Sequence, residues 1–270
     1  MSLTPAEVRK VAEDSVHLAG SFLRLLSIDN IEVFRKQGKL ISTFDIEAER
    51  LIRTTISMTY PEHKIITDFT ESSSEETDVT WYCDPLDGTK AFMRGQLAFV
   101  CLSVAAVDKT GIIAASIYNP FTDVLYSASK DEDVFLNNKV LSVPEDISLN
   151  KARVLIDFSK EIPNPIQNKL ATADLQGHIG RIFRFDGSIA QHLALIAQGT
   201  LDGAIIWGSG KKGNYWDIAA ALLFLDKLKF VCTDLTGKKI NIKSHSFDQL
   251  VIGQPQLHEE MLDYISKIGM

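Results

Sequence analysis

Apolar residues at Val8, Val11, Ala12, Val16, Ala19, Phe22, Leu23 and Leu26 recur at roughly helical spacing, so the chain opens with a predicted amphipathic helix. Its start is marked by Thr4 as N-cap, Pro5 at the first helical position and Glu7 completing a capping box. A second helix is predicted over about 45–59, where Ile46, Ala48, Leu51, Ile52 and Ile56 carry the packing. Tyr60-Pro61 ends it, because the residue before a proline disfavours the helical region. The pattern then changes to β-rich runs separated by turns: "KIIT" (64–67), "TWYC" (80–83), "AFVCLSVAAV" (98–107), "GIIAASIYN" (111–119) and "DVLYSAS" (123–129), with a hairpin turn over 108–111. A polar segment, "SVPEDISLNKA" (142–152), precedes a fresh strand, "RVLIDF". The domain boundary is therefore placed near 147, giving an N-terminal domain over 1–147 and a C-terminal domain over 148–270. The second part alternates: helix "SIAQHLALIAQG" (188–199), strand "LDGAIIW", helix "YWDIAAALLFLDKL" and strand "FVCTDLTG". The sum is an α+β or layered α/β body with two sheets.

Composition narrows the class. At 270 residues the chain is near the size at which one core divides into two, and 45% hydrophobic with 23% charged residues is ordinary for a globular protein. Apolar runs such as "IAAALLFL" (218–225) fall short of the ~20 residues a membrane span requires, and the N-terminus has no signal pattern, so a cytoplasmic protein without a membrane partner is expected. Cys83, Cys101 and Cys232 lie far apart without CxxC spacing, which argues against a disulfide framework and a thiolate zinc site. The six histidines show no metal-ligand spacing. A net charge of -7 disfavours a nucleic-acid polymer as partner. An acidic protein that handled a small anion would need bound cations, which directs attention to its carboxylates.

In "WYCDPLDGTKAF" (81–92) an apolar run delivers Asp84 to the end of a strand, and Pro85 is expected to stop the ladder there. Asp84 and Asp87, at i and i+3, can converge on one side of a tight turn. Two such carboxylates repel unless a shared cation neutralises them or one takes up a proton, and oxygen ligands select a hard ion, Mg²⁺ above others. Gly88 and Thr89 follow where a helix can begin, and backbone amides at a helix start bind phosphate oxygens. On these residues alone a plain surface turn is an open alternative. So too, Asp45 and Asp217 could each be a helix cap, and Gly187-Ser188 a turn and cap.

Several segments in order resemble the inositol monophosphatase superfamily of metal-dependent phosphomonoesterases. "DPLDGT" resembles its DPxDGT signature. "LISTFDIEAE" (40–49) resembles V-T-x-x-D-x-x-x-E, "FDGSIAQHLALIAQGTLDG" resembles G-S-x-A-x-x-L…A-x-G-x-x-D, and "YWDIAA" resembles W-D-x-A-A. The resemblance covers nearly the whole chain. It implies alternating helix and sheet layers, an αβαβα sandwich with the site between two halves, and hydrolysis of a small phosphorylated substrate by water activated by two or three Mg²⁺. Carried over, Asp84, Asp87, Asp217 and the Leu86 carbonyl are metal ligands. Thr89, with Asp45 beside it, orients or deprotonates the water, and Gly88, Thr89, Gly187 and Ser188 contact substrate. Sensitivity to Li⁺ is implied, and a homodimer is compatible with this reading. The usual Glu-Glu pair is replaced by Asp68-Phe69 in "HKIITDFTE", so Asp68 is the metal ligand expected there, with Glu71, Glu75 and Glu76 as alternatives. The usual E-A-G-G after the WD helix is "LDKLKF", and the usual G-x-G-A before a strand is "KDEDVF". Lys90 after the signature resembles the bisphosphate-nucleotidase branch, where T-K-x-F is common. Inositol monophosphate and 3'-phosphoadenosine 5'-phosphate therefore both stand as substrate classes. A divergent, weakly active member that binds phosphate ligands or a partner is the alternative.

Relief of repulsion leads to the expectation that Asp84→Asn and Asp87→Asn each leave ion-free stability no lower than that of the parent chain. For Asp68, Asp68→Ala is expected to raise the Mg²⁺ concentration for half-maximal activity, whereas Asp68→Glu lowers it or leaves it unchanged. A Mg²⁺ titration in which Glu71→Ala or the Glu75/Glu76 double change removes the metal dependence, and Asp68→Ala does nothing, would move the ligand into the following loop.

Overall fold

A computed structural model describes residues 4–25, 32–36, 39–67, 77–157, 164–207, 213–240 and 246–269. In chain order the elements are α1 (Pro5–Leu25), β1 (Val33–Lys36), β2 (Lys39–Ser42), α2 (Thr43–Thr59), β3 (Lys64–Ile66), β4 (Thr80–Asp87), α3 (Thr89–Met93), β5 (Cys101–Asp108), β6 (Gly111–Asn119), β7 (Val124–Ser129), β8 (Val134–Leu136) and β9 (Lys139–Val140). There follow β10 (Arg153–Asp157), α4 (Asn164–Ala171), β11 (Arg181–Phe183), α5 (Ile189–Ala197), β12 (Gly203–Trp207), β13 (Gly213–Asn214), α6 (Tyr215–Lys227), β14 (Val231–Thr233), β15 (Ser246–Phe247), β16 (Gln249–Gly253) and α7 (Pro255–Lys267). None of the helices among the described residues is long and apolar enough to cross a membrane.

Two compact units emerge. The first comprises residues 1–141, 186–194 and 216–224; the second takes the remainder. A single cut near 147 thus gives way to one after Leu141 with two later segments returned to the first unit, because most of α5 and α6 packs there.

The first unit is built on a seven-stranded sheet in the order β3-β4-β5-β6-β7-β8-β9. Only β3 and β4 run parallel; β4 to β9 form an antiparallel series. One face carries Trp81, Leu102, Val104 and Tyr118 against Val8, Ala12, Val16 and Ala19 of α1 and Ala48, Ile52 and Ile56 of α2, all buried in one cluster. Tyr126, which pairs with Ile117 and therefore points to the other face, meets Phe224 of α6 at a ring separation of 6.5 Å. Helices thus cover both faces of the sheet, and β5 is buried along most of its length. The predicted N-terminal capping box is present: Thr4 Oγ1 donates to Glu7 Oε2 at 2.6 Å, and Glu7 N donates back to Thr4 Oγ1 at 3.3 Å. At the "KDEDVF" departure, Glu132 accepts from Arg9 Nε of α1 at 2.8 Å and from Ser129 at 2.7 Å, while Arg9 lies 4.9 Å from the Phe135 ring centroid. The acidic turn therefore fastens α1 to the sheet through a charge-assisted and cation–π contact.

The second unit holds a five-stranded sheet in the order β11-β10-β12-β16-β14, parallel across β11-β10-β12 and antiparallel beyond. Leu257, Met261 and Ile265 of α7 join Val154, Ile156, Ile205 and Val251 in its core. Asp202, the last acid of the glycine-serine segment, accepts from Arg153 Nε at 2.9 Å and from its other guanidinium nitrogen at 2.7 Å, joining the start of β10 to the lead-in of β12. The C-terminus of α6 explains the second departure. Phe230 N donates to Leu225 O at 2.9 Å and Lys229 N to Asp226 O at 3.1 Å, the Schellman pattern, with Lys229 at φ 69° in the left-handed region where glycine is favoured.

Lys229→Gly removes the Cβ penalty of the left-handed conformation at the cost of a looser unfolded chain. It is expected to stabilise by about 0.5–1 kcal/mol, visible as a higher melting temperature. A lower melting temperature would show that the lysine side chain supports the turn.

Candidate active site

The signature lies on a deformed strand. In β4, Asp84 pairs with Ser103 and Asp87 with Cys101, so β4 carries one extra residue relative to β5 and bulges between them. The strand therefore does not stop at Pro85 as expected. Proline has no N–H to give the ladder, and the bulge is a place that tolerates it. Leu86 N donates to Asp84 Oδ1 at 3.1 Å, which folds the bulge around its first carboxylate. Asp84 and Asp87 are half-buried and Leu86 is buried. Gly88, at φ 94°, then caps the five-residue helix α3, so a helix does begin at Thr89.

Asp87 is fixed from outside the signature. Its Oδ2 accepts from the Ser188 hydroxyl at 2.5 Å and from Ala190 N at 2.9 Å, at the N-terminus of α5. Beneath this contact lies the Phe99 carbonyl, which accepts from Ser188 N at 2.8 Å. A Cβ on Gly187 would stand 2.3 Å from that oxygen and one on Gly88 2.8 Å, and both residues have positive φ. The two glycines allow the signature turn and the α5 lead-in to close on one backbone group. Ser188 itself is 0% exposed. Its amide and hydroxyl are both engaged within the protein. Gly187 N donates to Asp186 Oδ1 at 3.1 Å, and Asp186 in turn pairs with Arg94 at the end of α3.

Asp45 is not the N-cap of α2, which is Ser42, but the third helical residue that completes its capping box, and it is also a neighbour of the signature. Ser42 N donates to Asp45 Oδ2 at 2.7 Å, the Ser42 hydroxyl donates to the same oxygen, and Asp45 N closes the capping box of α2. The other oxygen, Oδ1, accepts from Thr89 Oγ1 at 3.0 Å, while Thr89 Oγ1 also lies 3.1 Å from the Leu86 carbonyl. The single hydroxyl proton favours the carboxylate, where the bond is charge-assisted. Asp45 is 1% exposed, and burial pushes its carboxyl above the usual range despite the bonds from Ser42 and Thr89. Glu49, one turn further along α2, accepts from Arg53 Nε at 2.6 Å and from Thr67 Oγ1 at 2.8 Å. It holds the residue directly before Asp68.

Asp217 is half-buried and is the third residue of α6, inside the helix and not its N-cap, in the stretch that belongs to the first unit. Asp68, Phe69, Glu71, Glu75 and Glu76 lie outside the described residues. The structure therefore brings together Asp45, Leu86, Asp87, Gly88, Thr89, Gly187 and Ser188. Among the described residues no three His, Cys, Asp or Glu side chains are gathered tightly enough to grip an ion. The chemistry of the donor set nevertheless fits Mg²⁺: the Asp84, Asp87 and Asp217 carboxylates and the Leu86 carbonyl are all oxygen. The sequence reading missed Ser42, Cys101 and the Phe99 carbonyl. Ser42 was signalled by its place three residues before Asp45; the other two carry no local signal, since their role depends on contacts with residues far along the chain.

The architecture and these contacts define a layered α/β protein with an acidic signature turn, and the profile of the inositol monophosphatase family matches residues 4–269. The chain belongs to that family, and it is a phosphomonoesterase acting on small phosphate substrates. It is 27% identical over 240 residues to a fructose-1,6-bisphosphatase/inositol-1-monophosphatase of Aquifex aeolicus, covering 88% of this chain and 86% of the relative. It is 28% identical over 245 residues to the Nus factor SuhB of Escherichia coli, covering 87% and 85%. A solved IMPase/NADP phosphatase complexed with Mg²⁺ and phosphate superimposes with a TM-score of 0.81 at 20% identity, over 96% of this chain and 95% of the other.

The contacts of Asp87 reverse one expectation. Its charge is stabilised by a hydroxyl, an amide and the N-terminus of a nine-residue helix, so relief of repulsion is outweighed. Asp87→Asn is expected to lower ion-free stability by about 1–2 kcal/mol. Asp84→Asn, whose amide oxygen can still accept from Leu86 N, should change it by less. Chemical denaturation of the chelated proteins checks this, and a larger loss for Asp84→Asn would contradict it.

Proposed function

We propose that the chain hydrolyses a small phosphomonoester of the inositol monophosphate or 3'-phosphoadenosine 5'-phosphate class with Mg²⁺ as cofactor. The observation that carries this reading is the Asp45–Thr89 hydrogen bond on the signature turn, beside the Leu86 carbonyl and Asp87. Asp84, Asp87, Asp217, the Leu86 carbonyl and Asp68 would hold two or three ions. When bound, Mg²⁺ supplies the positive charge that an acidic chain lacks, and Lewis acidity toward phosphate and water. The Thr89 hydroxyl, donating to Asp45, can accept a proton from an attacking water as its own passes to Asp45 Oδ1. A carboxyl with a raised pKa is the better base for this step. The amides of Gly88 and Thr89 would orient phosphate, with the backbone of Gly187 alongside. The exposed Lys90 suits a second phosphate and favours the nucleotide class. Inhibition by Li⁺, a homodimer and a cytoplasmic setting complete the reading; the last is supported by three cysteines that remain thiols. A second reading, a weakly active member that binds phosphate ligands or a partner, is favoured by the likeness to a relative known as a Nus factor and by the altered Asp68-Phe69 pair.

The test is release of phosphate from inositol monophosphates, 3'-phosphoadenosine 5'-phosphate and fructose 1,6-bisphosphate, with and without Mg²⁺, by the parent chain and Asp45→Asn. At least one substrate should be hydrolysed only with Mg²⁺. Asp45→Asn should lower kcat by about a hundredfold or more and remain folded, since it removes a charge that burial already penalises. Turnover indifferent to both Mg²⁺ and Asp45 would overturn the reading. Mg²⁺-dependent phosphate binding without turnover on any substrate would establish the second.

A further inference from the structure

Ser188 and Cys101 form a buried pair that the proposed chemistry does not use. Both are 0% exposed, and Ser188 Oγ lies 3.1 Å from Cys101 Sγ. Gln191 N donates to Ser188 Oγ at 2.9 Å, so the oxygen already accepts one hydrogen bond. The single hydroxyl proton is directed to Asp87 Oδ2 at 2.5 Å, because a carboxylate is the strongest acceptor in reach and has no proton to return. The Cys101 thiol, a weak donor, can direct its own proton to the remaining lone pair of Ser188. The hydroxyl is thus fixed on three sides, and the carboxylate oxygen it touches is fixed again by Ala190 N at 2.9 Å.

We propose that Ser188 is a positioning residue for Asp87: it sets the rotation of the carboxylate before any ion arrives, with the Cys101 thiol closing the pocket behind it. A carboxylate left to rotate must be ordered at the moment of binding, whereas one held by a buried donor meets the ion already oriented, and Mg²⁺ is intolerant of loose geometry. The proposal deepens the reading of the site given above and rests on Asp87 being an ion ligand. It moves Ser188 from the substrate side of the site to the support of the metal side. The bond from Ser188 N to the Phe99 carbonyl does not involve the hydroxyl, whereas that from Gln191 N does, so the ion-free melting of each variant is read beside its affinity.

Mg²⁺ titration by calorimetry on the ion-free full-length chain reads this directly, together with ion-free melting of each variant. Ser188→Ala is expected to raise the Mg²⁺ dissociation constant by about ten- to hundredfold, with Ser188→Thr, which keeps a hydroxyl, returning toward the parent value. A Ser188→Ala chain that melts lower but binds Mg²⁺ as the parent does would make the serine merely structural and overturn the proposal. If Ser188→Thr does not fold, Ser188→Ala alone decides, since its affinity and its melting temperature are read separately. A parent chain that binds no Mg²⁺ overturns the underlying reading and the proposal with it, an outcome distinct from a parent and a Ser188→Ala variant that bind equally well.

Discussion

The contact between Asp87 and the start of α5 is the constraint on which the site depends. It joins residues 101 positions apart through a charge-assisted hydrogen bond from Ser188 and a second bond from Ala190 N. Around it the chain has little freedom. The Phe99 carbonyl sits against Gly88 and Gly187 at distances that admit no side chain, and Ser188 N is bonded to it. A bulge in β4 presents Asp87, a 3-10 turn over Leu97–Phe99 presents the carbonyl, and α5 presents its N-terminus. The three meet at the start of α5, where Ser188 bonds to both Asp87 and the Phe99 carbonyl, which is how a segment near residue 188 comes to pack with the signature.

That constraint also resolves an electrostatic difficulty. Carboxylates near one another in a partly buried turn repel, and a bound cation is one way to offset the repulsion. Here a second way is built in: Asp84 accepts from the Leu86 amide and Asp87 from α5, so each charge has local donors. Asp45 is treated differently. It is almost fully buried and its charge is disfavoured, yet its two oxygens are divided between Ser42 and Thr89. The Asp87 carboxylate is thus surrounded by donors, while burial outweighs the donors of Asp45 and raises its pKa, a contrast that environment alone can impose.

Much of this was legible in the sequence. The apolar period of α1 and its Thr4-Pro5-x-Glu7 start define the first helix, and the alternation from 98 to 129 defines the middle strands, because those elements bury long continuous faces. What escaped were short pieces whose existence depends on partners: β8 and β9, β11, and the strand β16, five residues with no flanking signal beyond Gly253. Helix α7 had a usable mark in Pro255 at its first position, but the charged run "HEE" breaks the apolar pattern that its buried Leu257, Met261 and Ile265 supply. Within the site, the residue types and their order singled out segments that the fold brings together around Asp87 and Thr89. The roles of Gly187 and Ser188 did not follow, because a close approach to the Phe99 carbonyl is a property of two distant segments together.

The capping and functional interpretations of one residue are usually set against each other, and this chain shows why that opposition fails. Asp45 completes the capping box of α2 through Oδ2 and reaches Thr89 through Oδ1; the box holds the carboxylate in the one orientation from which the second contact can be made. Asp87 likewise anchors α5 and, under the proposed function, would serve as a ligand. Even Glu49, ion-paired with Arg53, also accepts from the side-chain hydroxyl of Thr67, the residue before Asp68. In each case the structural bond is what makes the chemical role geometrically definite. The departures from the family pattern follow the same logic away from the site, where Glu132 ties α1 to the sheet and Lys229 occupies a glycine's conformation at the end of α6. Such changes load the scaffold without touching the signature, and the geometry around Asp87 and Thr89 is held by hydrogen bonds of its own.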